Sequence, residues 1–135
     1  MKGTVLLVED EPDARELLAK AIERAGWRCV VAADVLSAME RAEEAELLDV
    51  VVTDVVLGRD DRGGLRVLTN LRAKDPRVPV VVITAHADPA NVQSVFNQGA
   101  SYLLEKPFRA TELVSVIERV QRAELFRFVC TTGLE

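Results

Sequence analysis

The sequence predicts a doubly wound α/β domain, with one parallel sheet and helices on both of its faces. Three observations predict it. Five short runs rich in Val, Leu and Ile are each followed by a stretch whose apolar residues recur at helical spacing. The strand-like runs are apolar at consecutive positions, as in strands covered on both faces. Strand and helix alternate along the whole chain of 135 residues, and such alternation builds a parallel sheet through right-handed crossovers.

Val5-Leu6-Leu7-Val8 is the first strand and runs into Glu9-Asp10-Glu11. Pro12 suits the first turn of a helix. Ala14, Leu17, Leu18, Ala21, Ile22 and Ala25 repeat along that helix, and Gly26 stands where a C-terminal cap belongs. Arg28–Ala32 is the second strand. Asp34 caps a second helix that carries Val35, Ala38, Met39 and Ala42 on one face. Residues 49–53 form the third strand, which ends at Asp54. The polar, turn-like stretch 58–64 follows. Leu65, Leu68 and Leu71 give a third helix, stopped before Pro76. Residues 79–84 are the fourth strand. Asp88-Pro89 supplies an N-cap and a first helical proline, with Val92, Val95 and Phe96 on the core face and Gly99 at the end. Residues 101–105 are the fifth strand and run into Lys106-Pro107. Thr111 opens a fifth helix with Leu113, Ile117 and Val120 at its seam. The domain spans 1–122. The stretch 123–135, with Leu125, Phe126, Phe128 and Val129, extends the last helix or forms a tail.

Composition narrows the function classes. The chain is 49% hydrophobic and 29% charged, an ordinary globular balance, so a core can form without staples. A net charge of −5 and the lack of any Lys/Arg-rich run argue against direct contact with nucleic acid. The mixed-charge run Glu40-Arg41-Ala42-Glu43-Glu44-Ala45-Glu46 reads as a solvated helix face. Cys29 and Cys130 have no metal-ligand spacing; they read as a core thiol and an incidental thiol, which suits a reducing cytosol. No signal peptide and no apolar run of membrane-spanning length is seen, so a cytoplasmic location is expected.

In a sheet of this kind the strand C-termini share one edge, and ligands bind there. The first strand ends in Glu9-Asp10, the third in Asp54, the fourth in Thr84 and the fifth in Lys106. Three carboxylates on one edge cannot all ionise without a compensating cation. Lys106 supplies one charge, and an all-oxygen donor set with no His or Cys points to Mg²⁺ for the rest. A carboxylate held beside Mg²⁺ can attack phosphorus, which makes Asp54 a candidate nucleophile for an aspartyl-phosphate. Metal and Lys106 would then share the phosphoryl oxygens, and the Thr84 hydroxyl would donate to one of them. Each residue alone has a plainer reading. Glu9-Asp10 could be a charge pair at a helix N-terminus, Asp54 a turn residue, Thr84 a β-branched strand residue, and Lys106 a surface lysine. Their common place at the strand ends carries the inference.

The set Glu9-Asp10, Asp54, Thr84 and Lys106-Pro107 resembles the receiver domain of two-component response regulators. So do the opening 5–12 and the stretches Gly99-Ala100-Ser101 and Lys106-Pro107-Phe108. The resemblance covers 2–122 and implies a flavodoxin-like (βα)5 fold with strand order 2-1-3-4-5. It implies Asp54 as phosphoacceptor, and Asp10 and Asp54 as direct Mg²⁺ ligands. Glu9 would act through water and the Val56 backbone carbonyl would complete the protein's share. Thr84 and Lys106 would bind the phosphoryl group, and Lys106-Pro107 would be a cis peptide. It further implies a sensor histidine kinase or phosphotransfer protein as donor. An output partner would read the face of the fourth helix, fifth strand and fifth helix, no membrane is involved, and a homodimer is allowed. The protein would be no enzyme beyond its own phosphorylation and dephosphorylation.

The sequence also departs from the family. Leu103 stands where the family's switch aromatic normally is, with Tyr102 one residue earlier and pointing to the other face. Gly58 replaces a usual proline, and the loop after Asp54 is longer. Val56 and His86, each two residues past a site residue, flank the site; the sole histidine reads as an exposed loop residue. A phosphatase of the haloacid dehalogenase type would need an Asp where Val56 stands. An FMN-binding protein would need a phosphate loop where Glu9-Asp10-Glu11 stands. Three alternatives remain: a pseudo-receiver acting without phosphate, the receiver of a DNA-binding transcriptional regulator, and that of a hybrid kinase.

Overall fold

The computed structural model describes residues 2–132, with side chains for 2–126. Five strands form one parallel sheet in the order β2-β1-β3-β4-β5. They are β1 Thr4–Val8, β2 Arg28–Ala32, β3 Val50–Asp54, β4 Val80–Thr84 and β5 Tyr102–Glu105. The connecting helices are α1 Pro12–Arg24, α2 Val35–Glu44, α3 Gly63–Lys74 and α4 Pro89–Asn97, and α5 Ala110–Thr132 follows β5. The observed order and alternation are those expected from the sequence. Strand ends differ from the expected ones by a residue. Asp49, expected in β3, lies outside it and accepts the Thr4 N–H at 2.7 Å.

Strand side chains alternate, and the alternation sorts the core into two layers. Val5, Leu7, Val50, Val52, Val81 and Ile83 pack under Leu18 and Ile22 of α1 and Leu113, Ile117 and Val120 of α5. Leu6, Val8, Val51, Val80 and Val82 pack under Ala38 of α2, Val67, Leu68 and Leu71 of α3, and Val95 of α4. Tyr102 and Leu104 join the first layer and Leu103 the second, so the neighbours 102 and 103 do face opposite ways. The three central strands are covered on both sides. The edge strand β2 is not: Arg28 and Val31 are exposed.

Helix starts follow their caps. The Asp34 carboxylate accepts the Ser37 N–H, and the Ser37 hydroxyl reaches back to the Asp34 N–H, a reciprocal cap. The Asp88 carboxylate accepts the Asn91 N–H at 3.1 Å. Gly99 has φ +102°, a left-handed conformation that closes the α4–β5 turn.

Two expected core positions turn outward. Leu17 and Phe96 are exposed, Phe96 at 44%. Helical spacing marks an arc, and each helix buries only its centre: Leu18 and Ile22 on α1, Val95 on α4. Cys29 is half-buried instead of fully buried, and burial still pushes its thiol up to about 12, so it remains protonated. Helix α5 runs on through residue 132 with Leu125 and Phe126 exposed. The thiol expected at Cys130, the side chains of Phe128 and Val129, and residues 133–135 fall outside what is described. Among the described residues no helix is long and apolar enough to cross a membrane.

Candidate phosphoryl-acceptor site

Sheet register brings the strand ends together. Val8 pairs with Thr53, Asp54 with Ile83, and Thr84 with Glu105. The residues just past Val8, at the end of β3 and just past Glu105 therefore converge on one edge, beside Thr84.

Asp54 is 4% exposed and Glu9 is 3% exposed. Asp10 is more open. One carboxylate oxygen from each of the three lies within 4.8 Å of the others. The Lys106 ammonium stands 3.2 Å from Asp54 Oδ1 and 3.3 Å from Oδ2. Its backbone N–H donates to the Thr84 carbonyl at 2.8 Å, which ties the end of β5 to β4. The Lys106-Pro107 peptide is cis.

This crowding has an electrostatic consequence. Burial, then the hydrogen bond to Asp54, pushes the Glu9 carboxyl up to about 8; the Glu11 N–H and Lys106 pull the other way and do not win. Without a cation, burial favours the protonated form of Glu9. Buried carboxylates set beside one another in this way fit a hard divalent cation, since such a cation satisfies all-oxygen donors.

The backbone around the acids is tightly fitted. Gly64, the second residue of α3, donates its N–H to the Val55 carbonyl at 2.8 Å. A Cβ on Gly64 would sit 1.8 Å from the Asp54 carbonyl oxygen, so only glycine allows α3 to start against the end of β3. On the other side, the Glu11 carboxylate caps α1 by accepting from the Asp13 and Ala14 N–H groups at 3.2 and 2.6 Å. The Glu11 N–H donates to Glu9 Oε2 at 3.1 Å.

The remaining residues stand apart. The Thr84 hydroxyl is held in its own turn, accepting the His86 N–H at 3.1 Å and donating to the His86 carbonyl at 3.2 Å. Val56 and His86 are exposed in the loops after β3 and β4. With Thr84, Leu103, Leu65 and Val95 they line a cavity of about 280 Å³ between those loops and α4. Sequence reasoning missed Glu11, Gly64 and Arg15, which holds the Glu9 and Asp10 carbonyls. Gly63-Gly64 read as turn composition and as the mark of a longer loop, and Arg15 could not be told from any helix-surface cation.

Comparison with known proteins agrees with this geometry. A family profile described as the response regulator receiver domain matches residues 5–118. The DNA-binding transcriptional regulator NtrC of Proteus hauseri is 36% identical over 121 residues, covering 87% of this chain and 24% of that protein. The chain thus spans about a quarter of the length of the NtrC relatives it matches. The probable transcriptional regulatory protein TcrX of Mycobacterium tuberculosis is 37% identical over 111 residues, covering 82% of this chain and 46% of that one. Among solved structures, the receiver domain of NtrX from Brucella abortus superposes with a TM-score of 0.79 at 31% identity, covering 87% of this chain and 98% of that chain.

Proposed function

Because this chain belongs to the response regulator receiver family, we propose that Asp54 accepts a phosphoryl group in a Mg²⁺-dependent reaction and that this switches an output surface. One observation carries the reading. The Asp54 carboxylate is buried at the strand end with the Lys106 ammonium 3.2 Å away and two further carboxylates in ligand range.

Asp10 and Asp54 are the proposed direct Mg²⁺ ligands, with Glu9 through water and the Val56 carbonyl completing the protein's share. When bound, Mg²⁺ held by these residues would neutralise the acids and the incoming phosphoryl oxygens. The chain's own residues do the rest. An Asp54 oxygen forms a bond to phosphorus as the bond to the donor's histidine nitrogen breaks, and that nitrogen leaves with the electron pair and is protonated. Lys106 holds a phosphoryl oxygen. The Thr84 hydroxyl, once it leaves the His86 turn, donates to another. Catalysis is positioning and charge neutralisation, and the protein turns over nothing but its own phosphate.

The donor is a sensor histidine kinase or phosphotransfer protein in the cytoplasm. The output partner reads the α4-β5-α5 face. Residues 1–122 are the proposed receiver, and 123–135 an extension of its last helix or a tail. A second reading of the whole protein, the receiver of a DNA-binding regulator, is favoured by the names of its NtrC relatives.

Acetyl phosphate with Mg²⁺ should add one phosphoryl group to the wild type by intact mass, and none to Asp54→Asn or in EDTA. Equal labelling of wild type and Asp54→Asn would sink the assignment.

A further inference from the structure

The turn between β1 and α1 carries two of the three carboxylates. The sheet holds only its start, through the Glu9 N–H on the Ala32 carbonyl at 3.0 Å. Beyond that point the fixing is done from α1. Arg15 lies one turn into the helix, and its backbone N–H donates to the Glu11 carbonyl at 2.9 Å. Its guanidinium reaches back, and Nη1 donates to the Glu9 carbonyl at 2.9 Å and to the Asp10 carbonyl at 3.4 Å.

One nitrogen shared between successive carbonyls fixes the two peptide planes that flank Asp10. Those planes set the direction in which the Asp10 side chain leaves the backbone. Asp10 is the most open of the three acids, and no described hydrogen bond anchors its carboxylate, so its aim depends on its backbone. Partners of this kind, which touch a ligand residue and not the metal, set affinity by pre-orienting the donor. The planar guanidinium fixes the direction of the two Nη1 N–H bonds; a lysine amine on a flexible stem, with freely rotating donors, does not.

We infer that Arg15 is a positioning residue for the cation cluster: by holding the Glu9 and Asp10 carbonyls it aims Asp10 and so sets Mg²⁺ affinity. The inference rests on the proposed reading of Glu9, Asp10 and Asp54 as that cluster. Charge alone argues the opposite sign. A guanidinium beside a dication site repels the dication, so removing it should tighten binding. The sign of the effect therefore separates positioning from electrostatics.

The experiment is calorimetric titration of Mg²⁺ into the full chain at fixed pH and ionic strength, for wild type, Arg15→Lys, Arg15→Gln and Asp10→Ala. Thermal midpoints are taken in EDTA. Both Arg15 variants should weaken Mg²⁺ about tenfold, the lower end of what such partners contribute. Labelling by acetyl phosphate should need proportionally more Mg²⁺ and return to the wild-type rate at saturation. Unchanged or tighter Mg²⁺ binding in Arg15→Lys overturns the inference, and a lowered EDTA midpoint with unchanged affinity assigns Arg15 to stability alone. If Asp10→Ala weakens Mg²⁺ while the Arg15 variants do not, only this inference fails. If Asp10→Ala binds normally, the cluster reading fails and this falls with it.

Discussion

The acid corner, where β1 and β3 end, and the exit side, where β4 and β5 face α4, are built to different tolerances. At the acid corner Glu9 and Asp54 are buried to a few percent. Gly64 touches the Asp54 carbonyl so closely that no side chain fits, and Glu11 and Arg15 bind the β1–α1 turn. On the exit side the Thr84 hydroxyl bonds only to its own loop, and a cavity of about 280 Å³ lies against Leu103. A close-packed region holds reacting groups in one geometry, while a region with free volume can hold more than one arrangement. Under the proposed function, the contrast gives chemistry and signal to parts with opposite packing requirements.

The comparison can be broken most forcefully at the glycines. Gly64→Ala must displace the end of β3, so it should cost about 1–3 kcal/mol or more, as overpacking does, and should slow labelling of Asp54. Gly58→Ala sits at φ +63° with nothing near its Cβ, and should cost only about 1–2 kcal/mol of backbone strain with labelling intact. Urea denaturation and intact-mass kinetics check both, and similar labelling defects would contradict the contrast.

Overpacking gives the next largest difference. Leu7→Phe, in the filled layer beneath α1 and α5, should lose about 1–3 kcal/mol, whereas Leu103→Phe, beside the cavity, should stay within about 1 kcal/mol of wild type. Equal losses in denaturant midpoints would mean the exit side is as tightly packed as the acid corner.

The acid corner should also respond to pH. The folded Glu9 carboxyl is raised to about 8 from an unfolded value near 4.5. The folded state therefore binds the more protons between these values, and stability falls as pH rises through that window. In EDTA the thermal midpoint should decline from about pH 4.5 to 8, while Glu9→Gln should remove most of that slope. A wild-type slope that survives in Glu9→Gln would place its origin elsewhere. The smallest effect is expected at Thr84. Thr84→Ser keeps the hydroxyl and should label as wild type does, and Thr84→Ala should slow labelling without abolishing it. Complete loss in Thr84→Ala would move the hydroxyl from the exit side into the acid corner.

The sequence made the sheet legible because buried parallel strands need consecutive apolar residues, as in Val50-Val51-Val52 and Val80-Val81-Val82. The caps Asp34 and Asp88 were legible because capping is local chemistry. The opposed faces of Tyr102 and Leu103 followed from strand alternation alone. The convergence of Glu9, Asp10, Asp54 and Lys106 followed from topology, once each was placed at the end of its strand. Other features depend on tertiary fit that no local pattern records. Leu17 and Phe96 occupy helical spacing, yet only the helix's placement on the sheet decides which side of the arc is covered. Gly64 looks like a turn glycine until β3 is seen against it. Arg15 looks like a solvated cation until the carbonyls it holds come into view.

The central claim is that Asp54, and neither of its acidic neighbours, becomes the acyl phosphate. Borohydride reduces an acyl phosphate to the alcohol, so the protein labelled with acetyl phosphate and Mg²⁺ can be reduced and mapped by peptide mass. Homoserine at position 54 is the result expected. Homoserine at position 10, or 5-hydroxynorvaline at position 9, with Asp54 unmodified, would contradict the account.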